Sequence, residues 1–380
     1  MEIDSSFSNG SNFNFSTAIG ANMNVSLLGA SGEFGNNLTS EGSGVVDGTP
    51  VNLYKIITAA AQGILMILIC FGNGMVIGAF YRSEKLKTIT NYYIMHLACA
   101  DFAVGLFLPF QMTCFLHPEI LENIFVCLFR YATMVVTQSA SILCLLAITI
   151  DRYSAVIYHM RYYSVMSRRR SIFTIFIVWL TPLVCGLMLP FLWYNGWPAE
   201  GEKDCDFGKT LTLGYNRYVT VGAFLTVTLV IIGLYSRIFH VARRHNAQIN
   251  DTATLQPNHS SRTFSRNFRI AKTAAIVIGL YLIFWSPFFI ILAIQVYGGL
   301  VNSQLLIELR VYASVLAVLN SAVNPVVYAY RMCDFKREFR RMLGLKYTTD
   351  DSNDNCSVGN ESNQTTGTAA TAAANVAETF

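Results

Sequence analysis

Seven stretches of this 380-residue chain, roughly 54–81, 89–115, 124–157, 170–192, 214–240, 268–297 and 304–330, are mostly apolar between polar or basic breaks. Each is long enough to cross a hydrocarbon core, which takes about 20 residues of helix. A backbone in hydrocarbon must satisfy its own hydrogen bonds, and only helices and closed barrels do so. A barrel strand alternates at period two, whereas IFTIFIVWLTPLVCGLML is apolar on every face. The chain is therefore expected to be an all-α membrane protein, a seven-transmembrane helix bundle. With 53% hydrophobic and 13% charged residues, it has too little polar surface for a water-soluble protein of this length.

Basic residues set the expected orientation. Arg82, Lys85 and Lys87 follow the first span, Arg161, Arg168, Arg169 and Arg170 the third, and Arg237, Arg243, Arg244, Arg262, Arg266 and Arg269 lie between the fifth and sixth. No Lys or Arg precedes Lys55. The positive-inside rule then puts the N-terminus outside the cell and the C-terminus in the cytoplasm. The N-terminus lacks a basic segment followed by an apolar block, so the first span is expected to serve as its own insertion signal.

Four regions follow. Residues 1–53 are rich in Asn, Ser and Gly, carry sequons at Asn9, Asn14, Asn24 and Asn37, and read as a disordered, glycosylated extracellular tail. Residues 54–330 form the helix bundle. Residues 331–345 read as a short amphipathic eighth helix on the membrane surface, with Phe335, Phe339, Met342 and Leu343 on one side and Lys336, Arg337, Arg340 and Arg341 towards phospholipid. Residues 346–380 are polar and Ser/Thr-rich, a disordered cytoplasmic tail suited to phosphorylation. Most of the nine cysteines sit inside spans as small apolar packers, but Cys127 and Cys205 both fall on the outer side, where they could bridge.

An ionisable group at mid-bilayer costs at least about 2.5 kcal/mol, so Asp101 in LACAD needs a reason. Other spans supply Asn73, Ser141, Asn320, Ser321 and Asn324, and a carboxylate among such groups suits a small cation such as Na+, or else a water-filled polar network. Prolines at Pro109, Pro182, Pro190, Pro287 and Pro325 each remove a helical hydrogen bond and permit a kink.

The ordered set GN, LACAD, Cys127, DRY, Trp179, FWSP and NPVVY on seven spans resembles the rhodopsin-like (class A) family of G-protein-coupled receptors, over about residues 54 to 343. VTQSAS in the third span and NPVVYAYRMCDF after the seventh resemble the adenosine-receptor branch. The resemblance implies a plasma-membrane receptor that passes ligand binding to heterotrimeric G proteins, with arrestin capture after tail phosphorylation. It makes Asp151 the partner of Arg152 at rest, and makes Tyr153, Met160, Tyr235, Trp285, Pro287, Pro325 and Tyr328 parts of the switch and the G-protein-coupling face.

Several positions depart from the family's pattern. Val227 replaces the usual fifth-span proline, Tyr281 replaces a phenylalanine one turn before Trp285, and Ile142 matches. Asn267 stands where many relatives carry a glutamate that restrains the DRY arginine, which predicts measurable basal signalling, lowered by Asn267→Glu. By the resemblance, the ligand pocket opens outward and contains Gln111, Met134, Val135, Gln138, Phe288, Phe289, Leu292 and Ser314, with Tyr312 as a further polar contact. Such a lining suits a small neutral aromatic molecule or a lipid. Met134 in place of the amine receptors' aspartate excludes a simple monoamine, and Val318 in place of a lysine excludes retinal. Leu292 and Val318 replace the asparagine and histidine of adenosine receptors. Arg130, Arg217, Glu308 and Arg310 mark the outer rim, either as snorkelling charges or as partners for a carboxylate or phosphate.

Other classes fit less well. A transporter would show internal repeats or several midplane charges. An enzyme would show a metal pair at helical spacing, a nucleophile elbow or a phosphate loop, and none is present; nor is any nucleic-acid partner implied. A receptor active without ligand is the nearer alternative.

Overall fold

The computed structural model describes residues 53–158, 161–196, 205–251 and 259–345. Seven long helices fill it: α1 (Leu53–Arg82), α2 (Ile89–Leu116), α3 (Ile124–Ile157), α4 (Arg168–Leu183), α5 (Ala223–Asp251), α6 (His259–Tyr297) and α7 (Gln304–Arg331). Seven segments along them are long and apolar enough to cross a membrane. A shorter α8 (Cys333–Met342) follows. Among the described residues the only β pairing is the isolated bridge of Tyr194 with Leu211.

The starts of α2, α3 and α4 are set by capping side chains. Thr88 accepts from the Asn91 N–H, Asn123 from Phe125 at 2.9 Å and Ser167 from Arg170 at 3.3 Å, so each helix begins at a residue that satisfies an orphan amide. Two π-helical segments, Val184–Met188 after α4 and Tyr215–Gly222 before α5, loosen the ladder near one end of the bundle. The fifth helix thus acquires irregular backbone without the usual proline.

Apolar side chains cover both faces of the helices. Ile64, Phe71 and Leu229 are more than half exposed, and many similar residues line the outside; a belt of this extent is tolerated only against lipid. Inside, Val76, Leu97 and Ile231 are fully buried or nearly so in a core shared by most of the helices, and Ile69 is fully buried in a smaller cluster with Leu65 and Leu108.

Glycine permits the closest crossing. A Cβ on Gly186 would lie 2.5 Å from Val136 Cγ2 and 3.0 Å from the Val136 backbone nitrogen on α3. Gly186→Ala should therefore destabilise the purified protein by about 1–3 kcal/mol, and Gly186→Val by more, read as a fall in melting temperature. Unchanged melting of both would mean that α3 and the Val184–Met188 turn are free to separate.

Helix α8 lies against the bundle through Phe335 and Phe339, with Met342 beside Gly78 of α1. One expectation is corrected here: Leu343 falls at the helix end and is half exposed. Glu338, which the sequence reading did not place, is buried on the inner side, with Oε1 accepting from Arg341 at 2.9 Å. Asn9, Asn14, Asn24, Asn37, Met160 and the side chain of Asn267 lie outside the described residues.

Candidate functional site

At the C-terminal end of α3, Asp151 and Arg152 are both buried. Arg152 donates to Asp151 Oδ2 through Nε at 3.0 Å and through its terminal nitrogen at 2.5 Å. Thr90, on the first turn of α2, donates to the same oxygen at 2.7 Å and accepts from Arg152. Tyr162, beyond α3, donates to Oδ1 at 2.6 Å. Burial first, and then the Asp151 carboxylate, raise the Tyr162 phenol above its usual range, so it remains a donor. Nothing in the sequence around Thr90 or Tyr162 marks either as a partner.

Beside this cluster, a narrow cleft opens between α2, α3, α6 and α7, lined by Thr90, Ile94, Ile148, Ala274, Ile278 and Tyr328. Tyr235 packs with Val156, Ile238 and Ala271, and Tyr153 meets Tyr158 edge-on. The arginine therefore sits at the mouth of an apolar groove, held in place by one carboxylate.

Midway along the bundle Asp101 is fully buried. Its Oδ1 accepts from Ser141 at 3.1 Å and Ser321 at 2.8 Å, and its Oδ2 from Asn324 at 2.7 Å, joining α2, α3 and α7. Asn73 donates from α1 to the Ser321 carbonyl at 3.0 Å. Asn320, next to Ser321 and 1% exposed, has neither amide atom hydrogen-bonded, and Asn73 Oδ1 is likewise unpartnered. Among the described residues no group of three His, Cys, Asp or Glu gathers as for a transition metal. One carboxylate with hydroxyl and amide oxygens does fit a monovalent cation.

Above this layer, Trp285 contacts Tyr281, Phe288 and Phe289 with ring centroids 5.7–6.3 Å apart. Phe224 of α5 stacks on Phe289 of α6 at 3.5 Å, an aromatic link that sequence alone did not single out. Ile142, Val227 and Tyr281 join the same core, so the altered positions pack together. Pro287 and Pro325 lie inside α6 and α7, and Pro325 reaches Gly72 on α1.

At the opposite end Cys127 and Cys205 form a disulfide, binding the loop after α4 to α3. Tyr131 donates to the Cys205 carbonyl at 2.7 Å, and Phe207 packs edge-on against Tyr131 at 5.0 Å. Phe207 and Leu211 share a buried cluster with Leu128, Leu292 and Val296, against which Met134, Val135 and Phe288 lean. Of the expected pocket lining, Met134, Val135, Phe288 and Leu292 meet here, around the loop that carries Phe207 and Leu211.

Several expected polar contacts are otherwise engaged. Gln111 exchanges hydrogen bonds with Arg130, at 3.0 and 3.1 Å. Ser314 donates to the Val311 carbonyl within α7, and Gln138 is half-buried on α3. Tyr312 is 53% exposed. Arg310 is not a rim charge: it is 6% exposed and paired with Asp206, the residue after Cys205.

Buried motifs of this order on seven long apolar helices define a membrane-embedded receptor. Residues 72–328 match the family described as 7 transmembrane receptor (rhodopsin family), and the chain belongs to it: a multi-pass membrane protein and class A G-protein-coupled receptor. It is 32% identical to the adenosine receptor A2a of Homo sapiens over 292 residues, covering 73% of this chain and 70% of that one. It is 29% identical to the adenosine receptor A2b of Gallus gallus over 335 residues, covering 83% and 96%. The alpha-1A adrenergic receptor of Oryzias latipes is 27% identical over 322 residues, covering 76% and 67%.

Proposed function

We propose that this receptor sits in the plasma membrane with Cys127, Cys205 and a glycosylated N-terminal tail outside, and that it reports a small-molecule or lipid ligand to a heterotrimeric G protein. The observation that carries the reading is the burial of Arg152 on Asp151, Thr90 and Tyr162 beside an apolar groove. A charge pair of this kind is bistable: separated helices expose a guanidinium and a groove that takes an amphipathic helix of the partner. Met160 supplies a further apolar contact, and the phosphorylated 346–380 tail recruits arrestin. Residues 331–345 rest on phospholipid.

The ligand enters from the disulfide side, among Gln111, Met134, Gln138, Phe288, Phe289, Leu292 and Ser314. Adenosine is not the ligand we favour. Leu292 is fully buried among apolar neighbours and offers a purine no hydrogen bond. The deciding experiment is nucleotide exchange on a panel of purified Gα subunits, with receptor in lipid nanodiscs and Arg152→Ala as control. Acceleration by the wild type alone supports the reading; equal rates on every subunit overturn it.

Asp101 with Ser141, Ser321 and Asn320 would hold Na+, which supplies the positive charge that a buried carboxylate lacks. Replacing N-methylglucamine chloride by NaCl at equal ionic strength should then raise the melting temperature by about 2–4 °C, on the scale of 1 kcal/mol. Asp101→Asn should abolish the difference. A sodium shift that survives in the variant would place the ion elsewhere.

A further inference from the structure

The ion pair between Asp206 and Arg310 joins residues 104 positions apart, from the loop after α4 and from α7. Both are buried. A guanidinium in such a place needs a counter-charge, since an unpaired buried charge is strongly destabilising. Asp206 supplies it from a loop segment whose covalent hold on the bundle is the neighbouring Cys127–Cys205 bridge. Arg310 is still incompletely served, because its Nε has no partner.

Two further residues at the same end have unmet needs. Gln295, on the α6 turn between Leu292 and Val296, is fully buried with neither amide atom hydrogen-bonded. Arg217, before α5, donates to the Val296 carbonyl at 3.2 Å and stacks on Tyr297, yet its buried Nε is also free. Native proteins rarely leave such groups unpartnered without a functional reason. Among the described residues Arg310 is paired with Asp206, Arg217 is held by the Val296 carbonyl and not by a carboxylate, and Arg130 on α3 is engaged by the neutral Gln111.

We infer that Asp206 is a tethered stand-in, and that the receptor's ligand is a small organic anion whose carboxylate or phosphate takes its place on Arg310, with Gln295 and Arg217 as further polar partners. This rests on reading the disulfide end as the ligand side. A cation or neutral molecule that moved the loop would leave Arg310 bare; an anion would not. The ligand's apolar part then replaces Phe207 against Tyr131, Leu292 and Val296. Because the loop is seated while Arg152 is locked at the other end, displacing it favours the alternative arrangement.

The test is chemical rescue on the purified full-length receptor. Asp206→Ala should melt below the wild type. Millimolar benzoate or inorganic phosphate should raise its melting temperature by at least about 3 °C more than chloride at equal ionic strength. The stronger of the two identifies the headgroup. Arg310→Gln in the Asp206→Ala background should remove the effect, and Gln295→Leu should weaken it. If Asp206→Ala yields no folded protein, Asp206→Asn leaves Arg310 equally without a counter-charge at the same volume. Anion shifts no larger than chloride's, or equal shifts with and without Arg310, overturn the inference. The readout needs no G protein, so a receptor that activates no Gα subunit would sink the proposed function and leave this result standing.

Discussion

Asp151→Asn should speed unstimulated nucleotide exchange on the partner Gα subunit by about tenfold or more, corresponding to about 1.4 kcal/mol or more. The carboxylate accepts from both Arg152 nitrogens, from Thr90 and from Tyr162, and all of this is buried. Hydrogen bonds to a charged group contribute about 1.5–3 kcal/mol each where measured. The amide keeps the shape and one acceptor but loses the charge that holds the guanidinium. In the open arrangement Arg152 meets solvent or a partner and gains nothing from Asp151, so the substitution weakens the resting state selectively. Tyr162→Phe removes a single donor and should give a smaller rise in the same direction. Arg152→Ala should stay silent, because it removes the group the partner meets. If Asp151→Asn and wild type exchange at the same basal rate, with Arg152→Ala reducing both, the pair is structural and the switch lies elsewhere.

The spans were legible because hydrocarbon tolerates so few alternatives. All eight ends of α1, α2, α3 and α7 lie within one residue of the expected spans. The ends of α5 and α6 were not legible. Apolar character fades near 240 and resumes near 268, yet α5 runs to Asp251 and α6 starts at His259, since Arg- and His-bearing turns beyond the lipid remain good helix. The site divides the same way. Asp151 and Arg152 are chain neighbours and Asp101 is conspicuous in an apolar span, so both could be read. Thr90, Tyr162 and Asp206 carry no local signal; their roles come from partners 61, 11 and 104 residues away.

Loss of the disulfide should have the largest effect on the folded receptor. Cys127 and Cys205 close a loop with a sequence separation of 78 residues, for which the chain-entropy estimate is about 4.5 kcal/mol. Part of that estimate does not apply here, because α3 and α4 are already held by lipid in the unfolded reference state. What remains is the local consequence. Without the bridge, the segment bearing Asp206, Phe207 and Leu211 keeps the Tyr131–Cys205 hydrogen bond and the ion pair to Arg310, two contacts that depend on each other's geometry. Cys205→Ser should therefore lower the melting temperature and cut the yield of folded receptor at the cell surface to a small fraction of wild type. Cys127→Ser should match it, and the double variant should be no worse than either, since one bond is lost in all three. An additive loss in the double variant would mean that the two thiols act separately. Melting of the surviving folded fraction then separates the two holds: Arg310→Gln should lower it further in the Cys205→Ser background only if the ion pair still seats the loop once the bridge is gone.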